Sequence, residues 1–176
     1  DPRLTSTESR SDILVVDDVP ENLRVAVSLL RGAGYKARGV LSGELALQAV
    51  ANQPPNLILL DIQMPGMDGF GVCKTLRESS ITQEIPIIFL SAHTDVDDKQ
   101  LAFDAGGVDY ITKPFESNEL LARVNTHLEL ARNRTELIHT RNMLENLSRK
   151  QTQTTRAALA QTHGQMQLED NADILV

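Results

Sequence analysis

Side chains suited to phosphoryl chemistry follow four of the five apolar runs in this sequence. They are three acids, a hydroxyl and an amine: Asp17, Asp18, Asp61, Ser91 and Lys113. Carboxylates brought together repel one another and raise one another's pKa unless a cation lies among them. Mg²⁺ binds carboxylate oxygens and can also share a phosphate oxygen. A carboxylate can attack phosphorus to form an aspartyl phosphate, which Mg²⁺ and a lysine would stabilise during transfer.

The apolar runs that would position these side chains are 13–16, 36–40, 56–60, 85–90 and 108–112. Short, unbroken apolar runs are typical of parallel strands covered on both faces. Amphipathic patterns typical of helices lie between them. The alternation predicts an α/β fold with a doubly wound, five-stranded parallel sheet. In such a sheet, ligands bind beyond the carboxyl ends of the strands, where the polar set would converge.

Each predicted helix has a small apolar face. The faces comprise Leu23, Ala26 and Leu30; Ala46, Leu47 and Val50; Val72, Cys73 and Leu76; and Leu101, Ala102 and Ala105. Gly32 and Gly34 are expected to end the first helix. Ser42 is expected to cap the second, and Gly106 to lie at the end of the fourth. An acid after a strand is often a helix N-cap, and for Asp18 alone that interpretation is equally good.

The composition is that of a globular protein with an excess of acid. The 176 residues carry a net charge of −7, which argues against a general nucleic-acid-binding surface. Cys73 is the only cysteine, which fits a reducing cytoplasm. No apolar run is long enough to span a membrane, and the polar start is no signal peptide. The first residue is not Met, so we expect a processed or trimmed chain with a disordered segment at 1–11.

The sequence changes character beyond residue 116. Residues 116–150 contain no glycine or proline, which predicts a helix that continues out of the domain. Leucines recur at 130, 137 and 144, with another at 147, whereas Asn133 and Thr140 occupy the alternate positions. This half-stripe favours a parallel coiled coil over 128–150, although a solvated helix with a few packed leucines stays open. The Gln/Thr-rich 151–176 predicts a frayed helix or a linker toward an output domain outside this chain.

Four motifs together resemble the receiver domains of two-component response regulators. They are VVDD, LLDIQMPGMDG, IIFLSA and GGVDYITKPF, and the resemblance covers residues 12–127. It implies a flavodoxin-like fold with strand order 2-1-3-4-5. It also implies that Asp61 accepts a phosphoryl group from a sensor histidine kinase or a phosphotransfer protein.

The resemblance further assigns a metal site around the acceptor. Asp18 would contact Mg²⁺ directly, and Asp17 would do so through water. The carboxylate of Asp61 and the backbone carbonyl of Gln63 would complete the protein ligands. Lys113 would bind the phosphoryl group or an acid.

The remaining implied roles concern switching and phosphate lifetime. Ser91 would be the switch hydroxyl, and Tyr110 the aromatic side chain that moves inward with it. Pro114 would follow a cis peptide bond. Gln63 and His93 occupy positions at which family members tune dephosphorylation.

Other single residues have simpler interpretations. Cys73 is expected in the core, because it lies on a packed helix face. The glycines within 64–71 suit a tight loop beside Asp61. His127, His139 and His163 lack ligand spacing and are expected at the surface.

The sequence therefore predicts a signalling module that is not itself an enzyme. It would dimerise through residues 116–150 and bind neither nucleic acid nor membrane. A dinucleotide-binding enzyme is disfavoured, because the first strand is followed by DDVPEN and not by a glycine-rich turn. Alternatives are a docking module that needs no phosphorylation and a phosphotransferase of the haloacid-dehalogenase type. The second would place an acid where Gln63 stands.

Overall fold

The computed structural model of the chain describes residues 10–92 and 96–172, so only two residues of the predicted disordered segment 1–11 are covered. Strands and helices alternate along the described residues, as predicted. The strands are β1 Asp12–Val16, β2 Lys36–Val40, β3 Leu57–Asp61, β4 Ile87–Ser91 and β5 Asp109–Thr112. The helices are α1 Pro20–Gly32, α2 Gly43–Asn52, α3 Gly69–Arg77, α4 Val96–Asp104 and α5 Ser117–Ala172.

The strands form one parallel sheet in the order β2-β1-β3-β4-β5. Parallel neighbours need crossover connections, and the intervening helices supply them. The flavodoxin-like, doubly wound topology implied by the motifs is therefore confirmed.

Side chains of β1 alternate between two core layers, because successive strand residues point to opposite faces of the sheet. Leu14 and Val16 pack in the layer that includes residues of α2, α3 and α4. Ile13 and Val15 pack in the layer formed with α1 and α5. All four side chains are fully buried. Burial of each side chain of this size contributes about 1.5–3 kcal/mol, so the sheet is a firm support for the groups at its edge.

Two strands extend one residue beyond their apolar runs. Asp61 is the last residue of β3 and is paired with Leu90, and Ser91 ends β4 and is paired with Thr112. Both polar residues therefore belong to the hydrogen-bonded ladder and not to loops. This fixes their backbones at the carboxyl edge of the sheet.

The predicted inner face of α4 is partly wrong. Leu101 is 53% exposed, whereas Ala102 is 1% exposed and Ala105 packs against the core. The inner face is centred on these two alanines, three positions apart, and Leu101 is rotated from Ala102 by about 100° around the helix. The prediction that Gly106 lies at the end of α4 is confirmed. This glycine has a φ of 105° in the turn that follows the helix.

The chain divides into two compact units, residues 1–132 and 133–176. In the first unit, Leu120, Val124 and Leu128 of α5 are buried against the sheet. In the second, helical conformation continues through 151–172, where the sequence predicts a frayed helix or linker. Threonine hydroxyls in that stretch donate to the carbonyl four residues earlier, which satisfies them without breaking the helix. None of the helices in the described part of the chain is apolar over a membrane-spanning length.

Candidate metal and phosphoryl site

Three carboxylates meet at the carboxyl edge of the sheet. Asp17 follows β1 directly, Asp18 comes next, and Asp61 ends β3. One carboxylate oxygen from each lies within 4.8 Å of the others. Asp17 and Asp61 are only 1% and 5% exposed, so water screens their charges poorly. The parallel pairing of Val16 with Leu60 produces this proximity, because it aligns the ends of β1 and β3.

Lys113 lies against two of the three carboxylates. Its Nζ is 2.6 Å from Asp17 Oδ2 and 3.2 Å from Asp61 Oδ2. Its backbone N–H donates to the carbonyl of Ser91 at 2.6 Å, which holds the lysine beside β4. The peptide bond between Lys113 and Pro114 is cis.

The charges of the site do not balance. Burial raises the pKa of Asp61 above its ordinary value; the ammonium of Lys113 opposes this shift, and the carboxylate of Asp17 adds to it. Three carboxylates and one ammonium sum to −2 when all are ionised. A divalent cation would supply the compensating charge, and carboxylate oxygens are the ligands that Mg²⁺ prefers. The donor set therefore fits Mg²⁺.

Asp18 is not a helix cap. The N-cap of α1 is Val19, which has no side-chain capping hydrogen bond, and Pro20 opens the helix. The backbone N–H of Val19 instead donates to Asp17 Oδ1 at 2.9 Å. This contact and Lys113 together orient the Asp17 carboxylate. Asp18 does not cap the helix and belongs to the acidic cluster.

The loop after Asp61 passes very close to the strand end. A Cβ atom on Gly69 would lie 2.4 Å from the carbonyl oxygen of Asp61, so only glycine fits there. The backbone N–H of Met67 donates to Glu44 Oε1 at 3.3 Å, which ties this loop to α2. Gln63 lies in the same loop and is exposed.

The two predicted switch residues lie on neighbouring strands, β4 and β5. Ser91 is 2% exposed, and Tyr110 is 6% exposed within the core layer that contains Phe89. Lys99 Nζ lies 5.9 Å from the centroid of the Tyr110 ring, within the range of a cation–π contact. His93, the second residue predicted to tune dephosphorylation, lies outside the described residues.

The sequence matches the response regulator receiver domain family over residues 13–125. The chain belongs to this family. The matched residues thus include all five strands, apart from Asp12 of β1, and the first turns of α5.

Curated relatives extend well beyond the receiver. The chain is 43% identical over 119 residues to the DNA-binding response regulator MtrA of Mycolicibacterium smegmatis, with 68% of this chain and 51% of that protein covered. It is 38% identical over 137 residues to a protein of Vibrio cholerae named "probable cyclic di-GMP phosphodiesterase", with 78% of this chain and 31% of that protein covered. The chain thus spans about half of the first relative and a third of the second.

Solved structures show the same fold. The receiver domain of Francisella response regulator 1452 has a TM-score of 0.64 and 30% identity, and the match covers 68% of this chain and 98% of that one. Chemotaxis protein CheY4 of Vibrio cholerae has a TM-score of 0.64 and 28% identity, over 66% of this chain and 98% of that one.

One cluster of the receiver was missed by sequence reasoning. Asp109 binds both Arg123 and His127, at 2.7 Å and 2.9 Å. The prediction that His127 is a surface residue is wrong, because its side chain is 16% exposed and engaged by this carboxylate. The available signal was the four-residue spacing of Glu119, Arg123 and His127, which places all three on one helix face.

Burial works to raise the pKa of Asp109, but hydrogen bonds from His127, Arg123 and the backbone N–H of Tyr110 outweigh it and lower that pKa. Cys73, in contrast, behaves as predicted. Its side chain is buried in the core, where Sγ lies 3.2 Å from the carbonyl of Ala105.

Proposed function

We propose that Asp61 is the phosphoacceptor of this receiver and that a sensor histidine kinase or a phosphotransfer protein supplies the phosphoryl group. One observation carries the proposal. The carboxylate of Asp61 lies within 4.8 Å of those of Asp17 and Asp18, and Lys113 contacts it from the side. Buried acids with perturbed pKa values and a specific charged partner mark functional sites.

The chemistry follows from the contacts of Asp61. Its Oδ2 is engaged by Lys113, which leaves Oδ1 as the candidate nucleophile. This oxygen forms a bond to phosphorus while the bond from phosphorus to the donor's imidazole nitrogen breaks. The departing nitrogen keeps the electron pair, so the donor returns to a neutral histidine. Lys113 can then hold a phosphoryl oxygen, because its ammonium is a compact charge with three donors.

Asp17, Asp18, Asp61 and the backbone carbonyl of Gln63 would hold the Mg²⁺ ion. When bound, Mg²⁺ neutralises the acidic cluster and stabilises charge on the phosphoryl oxygens. Without it, the buried carboxylates repel an incoming anion. Gln63, together with His93, would set the lifetime of the phosphate, and the receiver would lose it slowly without acting as an enzyme.

Switching would use Ser91 and Tyr110. The Ser91 hydroxyl would bind the new phosphoryl group, and the Tyr110 ring would occupy the space that becomes available. Because this ring is already buried, we propose that phosphorylation stabilises an arrangement the receiver already populates. Ser91→Ala would then accept phosphate but fail to pass on the signal.

Helix α5 supplies a candidate dimer contact. Leu130, Leu137 and Leu144 are 57%, 71% and 62% exposed, and they recur every seven residues along α5. A second copy of the chain would cover them in a parallel, two-stranded pairing through residues 116–150. We propose that receiver pairing transmits phosphorylation along this helix to an output module, with nucleic-acid or catalytic activity residing there.

The relatives support this division, since one is named a DNA-binding regulator and another a phosphodiesterase. The net charge of −7 argues against nucleic-acid binding by this chain itself. A cytoplasmic location, away from membranes, fits both the free cysteine and a kinase donor.

Incubation with radiolabelled acetyl phosphate tests the acceptor. We expect Mg²⁺-dependent labelling of the intact chain and of Asp104→Asn, an exposed acid outside the cluster, but none of Asp61→Asn. Equal labelling of the Asp61 variant would refute the assignment. Absence of label on the folded intact chain, with acetyl phosphate and with a phosphorylated kinase, would favour a docking module.

A further inference from the structure

The carboxylate of Asp109 is held on both of its oxygens. Oδ1 accepts hydrogen bonds from Arg123 at 2.7 Å and from the backbone N–H of Tyr110 at 2.8 Å. Oδ2 lies 2.9 Å from Nε2 of His127. A carboxylate engaged in this way cannot rotate without losing several contacts at once. Asp109 therefore fixes the start of β5 relative to α5.

The cluster of Asp109, Arg123 and His127 lies between β5 and α5. On one side, Asp109 directly precedes the proposed switch residue Tyr110, and the two are paired with Ile88 and Phe89 of β4. On the other side, His127 directly precedes Leu128, which is 7% exposed. Beyond Leu128, no side chain described within 129–166 is buried. His127 therefore lies in the last turn of α5 that packs against the sheet.

Arg123 and His127 differ in how directly a movement of β5 would reach them. Arg123 is 40% exposed and also binds Glu119 of its own helix, so solvent and a second acid share its charge. His127 is 16% exposed, and its Nε2 contacts the carboxylate of Asp109. A shift of β5 would change the distance from Asp109 to His127 directly, because a single contact joins them.

We propose that His127 is a positioning residue that couples the strand bearing Tyr110 to the last packed turn of α5. The proposal rests on the proposed function, in which phosphorylation of Asp61 changes the environment of Tyr110. When β5 adjusts, the contact between Asp109 and His127 passes the adjustment to the turn around Leu128. A purely structural contact would stabilise the fold equally in both states and would transmit nothing.

The side-chain nitrogen resonances of His127 provide the most direct readout in the intact chain. We expect them to shift when acetyl phosphate and Mg²⁺ label Asp61, and to shift by more than those of the exposed His139 and His163 further along α5. Labelling that leaves His127 unshifted would overturn the coupling but not the phosphoacceptor. If no labelling occurs, the proposed function fails first, so the two failures are distinguishable.

Two substitutions then separate coupling from stability. In the intact chain, phosphorylation should alter amide hydrogen exchange of residues 124–128 by on the order of threefold. His127→Ala should lose this response while labelling of Asp61 stays within about twofold, since the residue touches none of the acidic cluster. His127→Gln should keep the response, because its amide can still donate to Asp109. A response that persists undiminished in His127→Ala would refute the role, and a loss in both variants would overturn transmission through the contact with Asp109.

Discussion

The ammonium of Lys113 lies 2.6 Å from a carboxylate oxygen of Asp17, and both side chains are largely buried, with exposures of 17% and 2%. The two residues are far apart in the sequence, at the ends of β5 and β1. Removing one partner of a buried ion pair leaves the other charge uncompensated, which costs more than the pair itself gains. Here the cost is increased because the carboxylates of Asp18 and Asp61 lie close to that of Asp17.

Lys113→Ala should therefore reduce the free energy of unfolding at pH 7 by about 3 kcal/mol in the absence of Mg²⁺. Urea denaturation measures the change. The matched control is Lys74→Ala, an exposed lysine on α3, for which we expect a change below about 0.5 kcal/mol. Equal stability of the two variants would show that the Lys113 contacts contribute no net stability.

Asp61→Asn should stabilise the metal-free receiver. The pKa of Asp61 is raised, chiefly by burial, so ionisation of this group opposes folding. The stability that its protonated form provides is present below the pKa of the unfolded chain, about 3.9, and is lost as pH rises through the higher folded pKa. The advantage of the asparagine variant should thus grow from pH 4 to pH 7.

Thermal unfolding across that pH range measures this advantage as a rise in Tm, and roughly 2–8 °C corresponds to each kcal/mol for domains of this size range. A Tm for Asp61→Asn that falls below that of the unsubstituted chain at pH 7 would show that the Lys113 contact outweighs burial.

Mg²⁺ should stabilise the folded receiver, since the ion binds the native cluster and not the unfolded chain. At a concentration 100 times its Kd, the gain is about 2.7 kcal/mol. Asp18→Asn should remove most of this gain, whereas Glu78→Gln, which changes an exposed acid at the end of α3, should retain it. Titration of Tm with MgCl₂ distinguishes these outcomes, and an unchanged gain in Asp18→Asn would place the ion elsewhere.

Self-association through α5 should depend on the stripe of exposed leucines at 130, 137 and 144. Replacing both Leu137 and Leu144 with Gln should weaken self-association at least tenfold, which equals about 1.4 kcal/mol. Ile138 and Leu159 are also exposed but lie off the stripe, so their double replacement with Gln is the matched control. Sedimentation of the full chain measures the effect. A full chain that stays monomeric at tens of micromolar would identify the helix as a spacer.

Much of the fold could be predicted from the sequence, because apolar runs such as 13–16 and 57–60 are buried on both faces and carry an unambiguous pattern. The acidic cluster was predictable for a related reason. Parallel strands bring their carboxyl ends to one edge, so residues at those ends must converge.

The two wrong predictions, for Leu101 and His127, involve contacts that no local sequence pattern specifies. Leu101 fits an apolar helical face, yet the two neighbouring alanines decide how α4 packs. His127 looks like one of several scattered histidines. Its partner Asp109 lies on a different element, and only the packing of α5 against β5 brings the two together.

The residue that carries the phosphoryl group can be identified chemically. Borohydride reduces an aspartyl phosphate to homoserine, which peptide mass spectrometry can place in the sequence. After treatment with acetyl phosphate and Mg²⁺, we predict homoserine at position 61 and at no other acid. Homoserine at position 17 or 18 instead, with residue 61 still aspartate, would rule out Asp61 as the phosphoacceptor.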